Sequence, residues 1–187
     1  KDIAEYANEN EMIESRITID DYLDVLNRLH IIENQDAYNE NYRSPERVGK
    51  SAKRHFTDPS LACACLDLTK DKLMNDLKTF GFMFEALVER DLKIYMDYLD
   101  GKLFHFRDNV TGLEVDSILE FNSGEYAAVE IKLGYHQVDE AKKSLIEFSN
   151  NMVKKPKLMC VIVGYTDVIA KDPETGIYIV PITALRP

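Results

Sequence analysis

The chain has 187 residues and is 45% hydrophobic, enough apolar content to pack one ordinary domain or a small domain beside a larger one. Its formal net charge of −10 counts against broad, sequence-independent nucleic-acid binding, which needs a positive field. No signal peptide and no apolar run long enough to span a bilayer is present, so a cytoplasmic protein with no membrane partner is expected. Cys63, Cys65 and Cys160 form no paired framework and lack the second ligand pair of a zinc site, so they read as buried free thiols. The chain opens at Lys1 rather than at a methionine, which points to a piece of a longer protein.

In chain order, Asp2 to Asn10 reads as a short helix with Ile3, Tyr6 and Ala7 on one face. A second helix is expected from an N-cap at Thr18, with Tyr22, Val25, Leu26 and Leu29 as its apolar stripe. Helix, turn, helix and a strand-like polar ribbon from Glu33 to Tyr42 suggest part of a winged helix over residues 1–58. Its second helix carries Asp20, Asp21 and Asp24 against Arg28, the wrong sign for a groove reader, so a protein-contact or spacer role is favoured. The one basic stretch is Arg43, Arg47, Lys50, Lys53 and Arg54. It reads either as a weak contact to a nucleic-acid backbone or as a charged, solvated wing.

Pro59 follows Asp58 at a helix start, and Leu61 to Leu68 reads as a short buried helix. Asp71 to Leu99 is helical by its spacing of Leu77, Phe80, Phe84, Leu87, Val88 and Tyr95. Gly81 inside it suggests a second element packing closely, and Glu85 lies at the edge of the buried stripe. A strand from Lys102 to Arg107 follows, with Phe104 and Phe106 on one face. Later come an amphipathic helix from His136 to Val153, a strand from Lys157 to Tyr165 buried on both faces, and a last strand from Ile177 to Ile182.

Between these lies the most informative stretch, Glu114 to Lys132. It reads as a hairpin turning at Asn122-Ser123-Gly124, with Gly124 in a left-handed position. Counting back from Phe121 opposite Glu125, Asp116 faces Glu130 and Glu114 faces Lys132. Val115, Leu119, Phe121, Val129 and Ile131 fall on the other, apolar face. Two adjacent carboxylates repel unless a cation lies between them, and a neighbouring lysine can hold a water or a phosphate oxygen. A solvated strand face with cross-strand ion pairs fits the same residues.

The element order from Phe80, with Asp116 on one strand and Glu130-Ile131-Lys132 ending the next, resembles the PD-(D/E)xK restriction-endonuclease-like fold. That resemblance implies an α/β (α+β) architecture with an αβββαβ core over residues 59–187. It implies Asp116 and Glu130 as ligands of Mg²⁺ or Mn²⁺, Lys132 as the residue assisting the water, and Glu85 as a further acid on the first core helix. Tyr22-Leu23-Asp24-Val25-Leu26, His55 to Leu61, Phe84 to Val88 and Glu114 to Asp116 further resemble the C-terminal half of a prokaryotic AAA+-type ATPase family. Its members carry a P-loop ATPase, a winged-helix segment and a nuclease-like domain. No G-x-x-x-x-G-K-[ST] is present, so the resemblance implies ATP, and the ATPase module as a partner, only for a part of the protein outside this sequence. Three functions follow as expectations: a metal-dependent nuclease, a catalytically idle nuclease fold that regulates the ATPase, and a DNA-binding regulator acting through the winged helix.

Overall fold

The computed structural model describes residues 16–40 and 52–186. Among them are helices and two sheets, an α+β arrangement in which a six-stranded mixed sheet carries the fold. The helix expected at Asp2 to Asn10 lies outside the described residues. Helix α1 (Arg16–Arg28) begins ahead of Thr18. Its expected apolar stripe is not buried, since Tyr22, Val25 and Leu29 are 63%, 52% and 62% exposed. His30 closes the helix in a left-handed conformation, φ 53°, while Ile31 N donates back to Leu26 O at 3.0 Å, a common way to satisfy terminal carbonyls.

Strands β1 (Ile32–Gln35) and β2 (Lys53–Phe56) pair antiparallel with Ile32 opposite Phe56 and Gln35 opposite Lys53. The chain after β1 then runs along the main sheet, where Tyr38 N donates to His105 O at 2.7 Å and His105 N donates to Asp36 O at 3.0 Å. The Tyr38 ring packs against Phe104 and Tyr126 at centroid distances of 6.0 and 5.1 Å.

Helix α2 (Pro59–Cys65) starts as expected, with Asp58 Oδ1 accepting from Ser60 N at 2.8 Å and Pro59 in the first turn. It is a surface helix rather than a buried one: of its residues only Pro59 and Ala62 are buried. Cys65 in it is likewise exposed, while Cys160 is buried and its thiol is pushed up to about 12 by desolvation. The long helix expected from Asp71 is broken into α3 (Lys70–Asn75) and α4 (Leu77–Tyr98). Asp76 makes the break, because its carboxylate accepts from Thr79 N at 3.1 Å and Thr79 Oγ1 at 2.6 Å and so caps a new helix.

The main sheet holds β3 (Lys102–Arg107), β4 (Glu114–Glu120), β5 (Tyr126–Lys132), β6 (Leu158–Val163), β7 (Ala170–Lys171) and β8 (Tyr178–Pro181), in the order β3-β4-β5-β6-β8-β7. The first three run antiparallel, β5, β6 and β8 run parallel, and β7 is a short antiparallel edge strand that the pattern did not reveal. The crossover from β5 to β6 is α5 (Val138–Asn151). Its Val138, Ala141, Leu145 and Phe148 pack on Phe106, Ile118, Tyr126, Val161 and Val163. On the opposite face α4 lays Phe84, Val88 and Leu92 on Val129, Ile131, Cys160 and Ile162. The sheet is therefore covered on both faces, which explains why β5 and β6 read as apolar runs rather than alternating ones.

One carboxylate is buried under the β1–β2 ribbon. Glu89 on α4 is 2% exposed, with Lys53 Nζ 2.6 Å from one oxygen and His55 Nδ1 3.3 Å from the other. Removing one member of a buried ion pair leaves the other charged and desolvated, at a cost of about 3–5 kcal/mol. Lys53→Met is expected to lower the unfolding free energy from urea titration by about that amount, through the midpoint and not the slope, and Lys53→Met combined with Glu89→Leu to recover most of it. Additive losses in the two-residue variant would show that the pair does not couple.

Candidate functional site

The turn at Asn122-Ser123-Gly124 forms as expected, with Phe121 N donating to Glu125 O at 2.9 Å and Gly124 at φ 73°. The ladder runs Glu120↔Tyr126, Leu119↔Ala127, Ile118↔Ala128 and Ser117↔Val129, and there it stops. On the other side of β4, Phe104 pairs with Ile118 but Phe106 with Val115. Asp116 and Ser117 thus share one position opposite His105, a β-bulge. The bulge has two effects. Val115 turns to the α5 side and joins Ile118 and Tyr126 rather than Leu119 and Ile131. The Asp116 side chain takes over where the ladder ends, its Oδ2 accepting from Ile131 N at 2.7 Å.

That hydrogen bond holds Asp116 against the end of β5. Lys132 Nζ lies 2.6 Å from Glu130 Oε2 and 3.4 Å from Asp116 Oδ2, bridging the two acids. Glu130 is 4% exposed. Burial, and next the charge of Asp116, push its carboxyl up to about 8 against the pull of Lys132. Burial opposes the charge of Lys132 as well, but Asp116 and Glu130 together outweigh it and hold the lysine above its ordinary value. Glu114 is not the partner of Lys132 that register alone suggested. Its carboxylate pairs with Arg107 at 3.0 Å, because the bulge carries it to the β3 side.

Glu85 stands across a cleft of about 400 Å³ that Lys53, Glu85, Arg107, Glu114 and Asp116 share. Its carboxyl is raised, first by burial and then by the charge of Asp116. Lys53 Nζ sits 2.5 Å from it. A second cleft of about 370 Å³ opens Glu114, Asp116, Glu130 and Lys132 toward α5 at Ser144 and Glu147. Asp116 lines both clefts.

Of the basic stretch, Arg43, Arg47 and Lys50 lie outside the described residues. Arg54 is exposed, whereas Lys53 is turned inward onto Glu85 and Glu89. Sequence reasoning missed Glu89. The available signal was its spacing, one helical turn after Glu85 on a helix whose stripe is otherwise apolar.

Donor chemistry can be set against the expected metal. Asp116 and Glu130 offer hard carboxylate oxygens; burial first, and then the charge of Asp116, raise the Glu130 carboxyl, and a cation between the two would offset the repulsion. Among the described residues no group of three His, Cys, Asp or Glu side chains is arranged to hold a metal ion. Two carboxylates suit Mg²⁺, which keeps several waters and completes its shell with phosphate oxygens. They do not suit an all-protein calcium or zinc cage.

Comparison with known proteins gives two family matches. Residues 80–185, more than half of the chain, match the domain of unknown function DUF4143. Residues 2–72 match a second domain of unknown function, DUF8612. No curated protein and no solved structure matches the chain. Residues 80–185 include α4 from Phe80 onward, the main sheet, α5 and all four of Glu85, Asp116, Glu130 and Lys132. The chain belongs to the DUF4143 family, a domain found in AAA-ATPase-associated proteins.

Proposed function

We propose that this chain carries a metal-dependent nuclease site, built on a restriction-endonuclease-like αβββαβ core and attached to an AAA+-type ATPase with a partial winged helix between them. One observation carries the reading. Two apposed carboxylates on neighbouring strands, Asp116 and Glu130, are bridged by Lys132 at the mouth of a cleft. The order α4, β3, β4, β5, α5, β6 supports the fold assignment. The helix α1 and the β1–β2 ribbon support the winged-helix one.

Asp116 and Glu130 would hold Mg²⁺ or Mn²⁺. Glu85, engaged by Lys53, would act through a water rather than as a direct ligand. The bound metal supplies Lewis-acid stabilisation of charge developing on a phosphodiester. Without metal, Asp116 and Glu130 hold the Lys132 ammonium above its ordinary value, which favours a role as donor, aiming an ammonium hydrogen at a water or a phosphoryl oxygen, over one as proton acceptor. The Ile131 N–H keeps Asp116 in place beside it.

A catalytically idle nuclease fold that regulates the ATPase is the second reading. It is favoured by the lysines themselves, since Lys53 and Lys132 already occupy carboxylate oxygens that a metal would need. Calorimetry with Mn²⁺ separates the two. Binding that Asp116→Ala removes supports the nuclease, and absence of binding supports the idle module.

Activity gives the direct test. DNA or RNA cleavage that requires Mg²⁺ or Mn²⁺ is expected, and Asp116→Ala or Lys132→Ala is expected to reduce it by roughly 100-fold or more. Cleavage at the parent rate in both variants would sink the proposal.

The pH dependence of stability reads the same group without turnover. Glu130 is raised from an ordinary 4.5 to about 8. Between those values the folded state holds a proton that the unfolded state has released, so this group's contribution to stability falls as pH rises across that window and levels off above it. Thermal unfolding without divalent metal is expected to show this decline, Glu130→Gln to flatten it, and Mn²⁺ to raise the melting temperature most at the upper end. An unchanged slope in Glu130→Gln would mean that other groups cause it.

A further inference from the structure

A cleft of about 800 Å³ that the chemistry above does not use opens between the start of α4, the strand end at Ile131 to Gly134 and the loop at Gly164-Tyr165. Its walls are apolar and open: Met74, Leu77, Phe82 and Tyr165 are 56%, 59%, 56% and 86% exposed. Large side chains clustered at a surface in this way mark a binding groove more often than chance exposure. Lys132 and Glu85 also line it, so the cleft is continuous with the carboxylate group.

Gly81 lies in the same cleft, inside α4. The expectation that another element packs on it is not met, because a Cβ built there meets nothing within 4 Å. Its φ is not positive either, so the backbone does not require glycine. Glycine inside a helix is less favourable than alanine, and a common reason to keep one is close approach of a ligand to the backbone. Here that approach would be from the cleft.

We infer that this cleft takes a base of a single-stranded nucleic acid, lying over Gly81 and stacked on the exposed rings of Phe82 and Tyr165, with its phosphate toward Lys132. This rests on the phosphodiester reading of the neighbouring carboxylates and names the substrate class. A duplex hides its base faces and is gripped by a long positive track, and a net charge of −10 counts against such a grip. Stacking on aromatic rings needs no such field. Lys78 and Lys132 at the cleft provide for a phosphate or two, not for a duplex.

The probe is a fluorescein-labelled oligothymidine of about ten nucleotides, followed by anisotropy with Ca²⁺ in place of Mg²⁺. The wild type is expected to bind it more tightly than a duplex of equal length. An abasic strand of equal charge is expected to bind on the order of 10- to 100-fold more weakly. Gly81→Leu and Phe82→Ala are expected to weaken the oligothymidine by a similar factor. Gly81→Leu should keep or raise the melting temperature, since leucine is the better helix former; Phe82→Ala, at an exposed position, gives an independent reading if Gly81→Leu misfolds. Equal affinity for the abasic strand, or wild-type affinity in both variants, overturns the inference. In that case Mn²⁺-dependent cleavage of the strand by the wild type leaves the nuclease reading standing. Base-dependent binding without cleavage keeps the cleft and fells the catalytic reading. A dimer lost in Gly81→Leu, with no change in oligonucleotide affinity, overturns the inference in favour of a second copy of the chain.

Discussion

The candidate site depends on one interrupted hydrogen-bond ladder. Were β4 regular, Asp116 would be one more alternating side chain and Ile131 N would look to a β4 carbonyl. The extra residue opposite His105 breaks that regularity and turns the Asp116 carboxylate into the acceptor for Ile131 N. A charge-assisted bond to a backbone amide is shorter and stronger than a neutral one, so the strand end is not frayed by losing its ladder. β5 itself lies inside the sheet, with β4 and β6 on its edges and α4 and α5 on its faces. Glu130 and Lys132 share that placement, and Asp116 is pinned to them.

Electrostatically the site is two repeats of one motif. Lys132 is shared by Asp116 and Glu130, and Lys53 by Glu85 and Glu89. In each, one acid is buried and the other lies at the edge of a cleft. The two groups feel one another through Glu85 and Asp116, whose charges oppose each other. Acids outnumber lysines across the whole set. The group is therefore short of positive charge, and the strongly acidic composition of the chain does not relieve it.

Much of this arrangement was readable from the residues. Gly124 and the turn chemistry around it set the hairpin register, and the hydrophobic spacing of Val138, Ala141, Leu145 and Phe148 gave α5 its face. The apolar run at Leu158 to Val163 announced a strand covered on both sides. What escaped notice came from interactions without a period. The bulge has no local signature in Glu114 to Glu120, and it moved Val115 and Glu114 to unexpected partners. Asp76 sits in an unbroken helical pattern, yet its side chain outcompetes the backbone and starts a new helix. Lys53 belongs by sequence to a basic run and by geometry to the acids of α4. A charged residue's neighbours in sequence say little about which opposite charge it will meet after folding.

The Lys53–Glu89 pair also bears on how such proteins can be inherited. The two family matches, residues 2–72 and 80–185, invite a picture of separate modules joined by a linker. Yet Lys53 lies in the first and Glu89 in the second, as do Glu33 and its partner Lys93 at 2.7 Å, and the Tyr38 ring is bedded between Phe104 and Tyr126. A recombination event that swapped one half for a stranger would have to bring a matching cation for a buried acid. The two halves thus meet through a desolvated charge, and exchanging one of them alone would leave that charge unmatched.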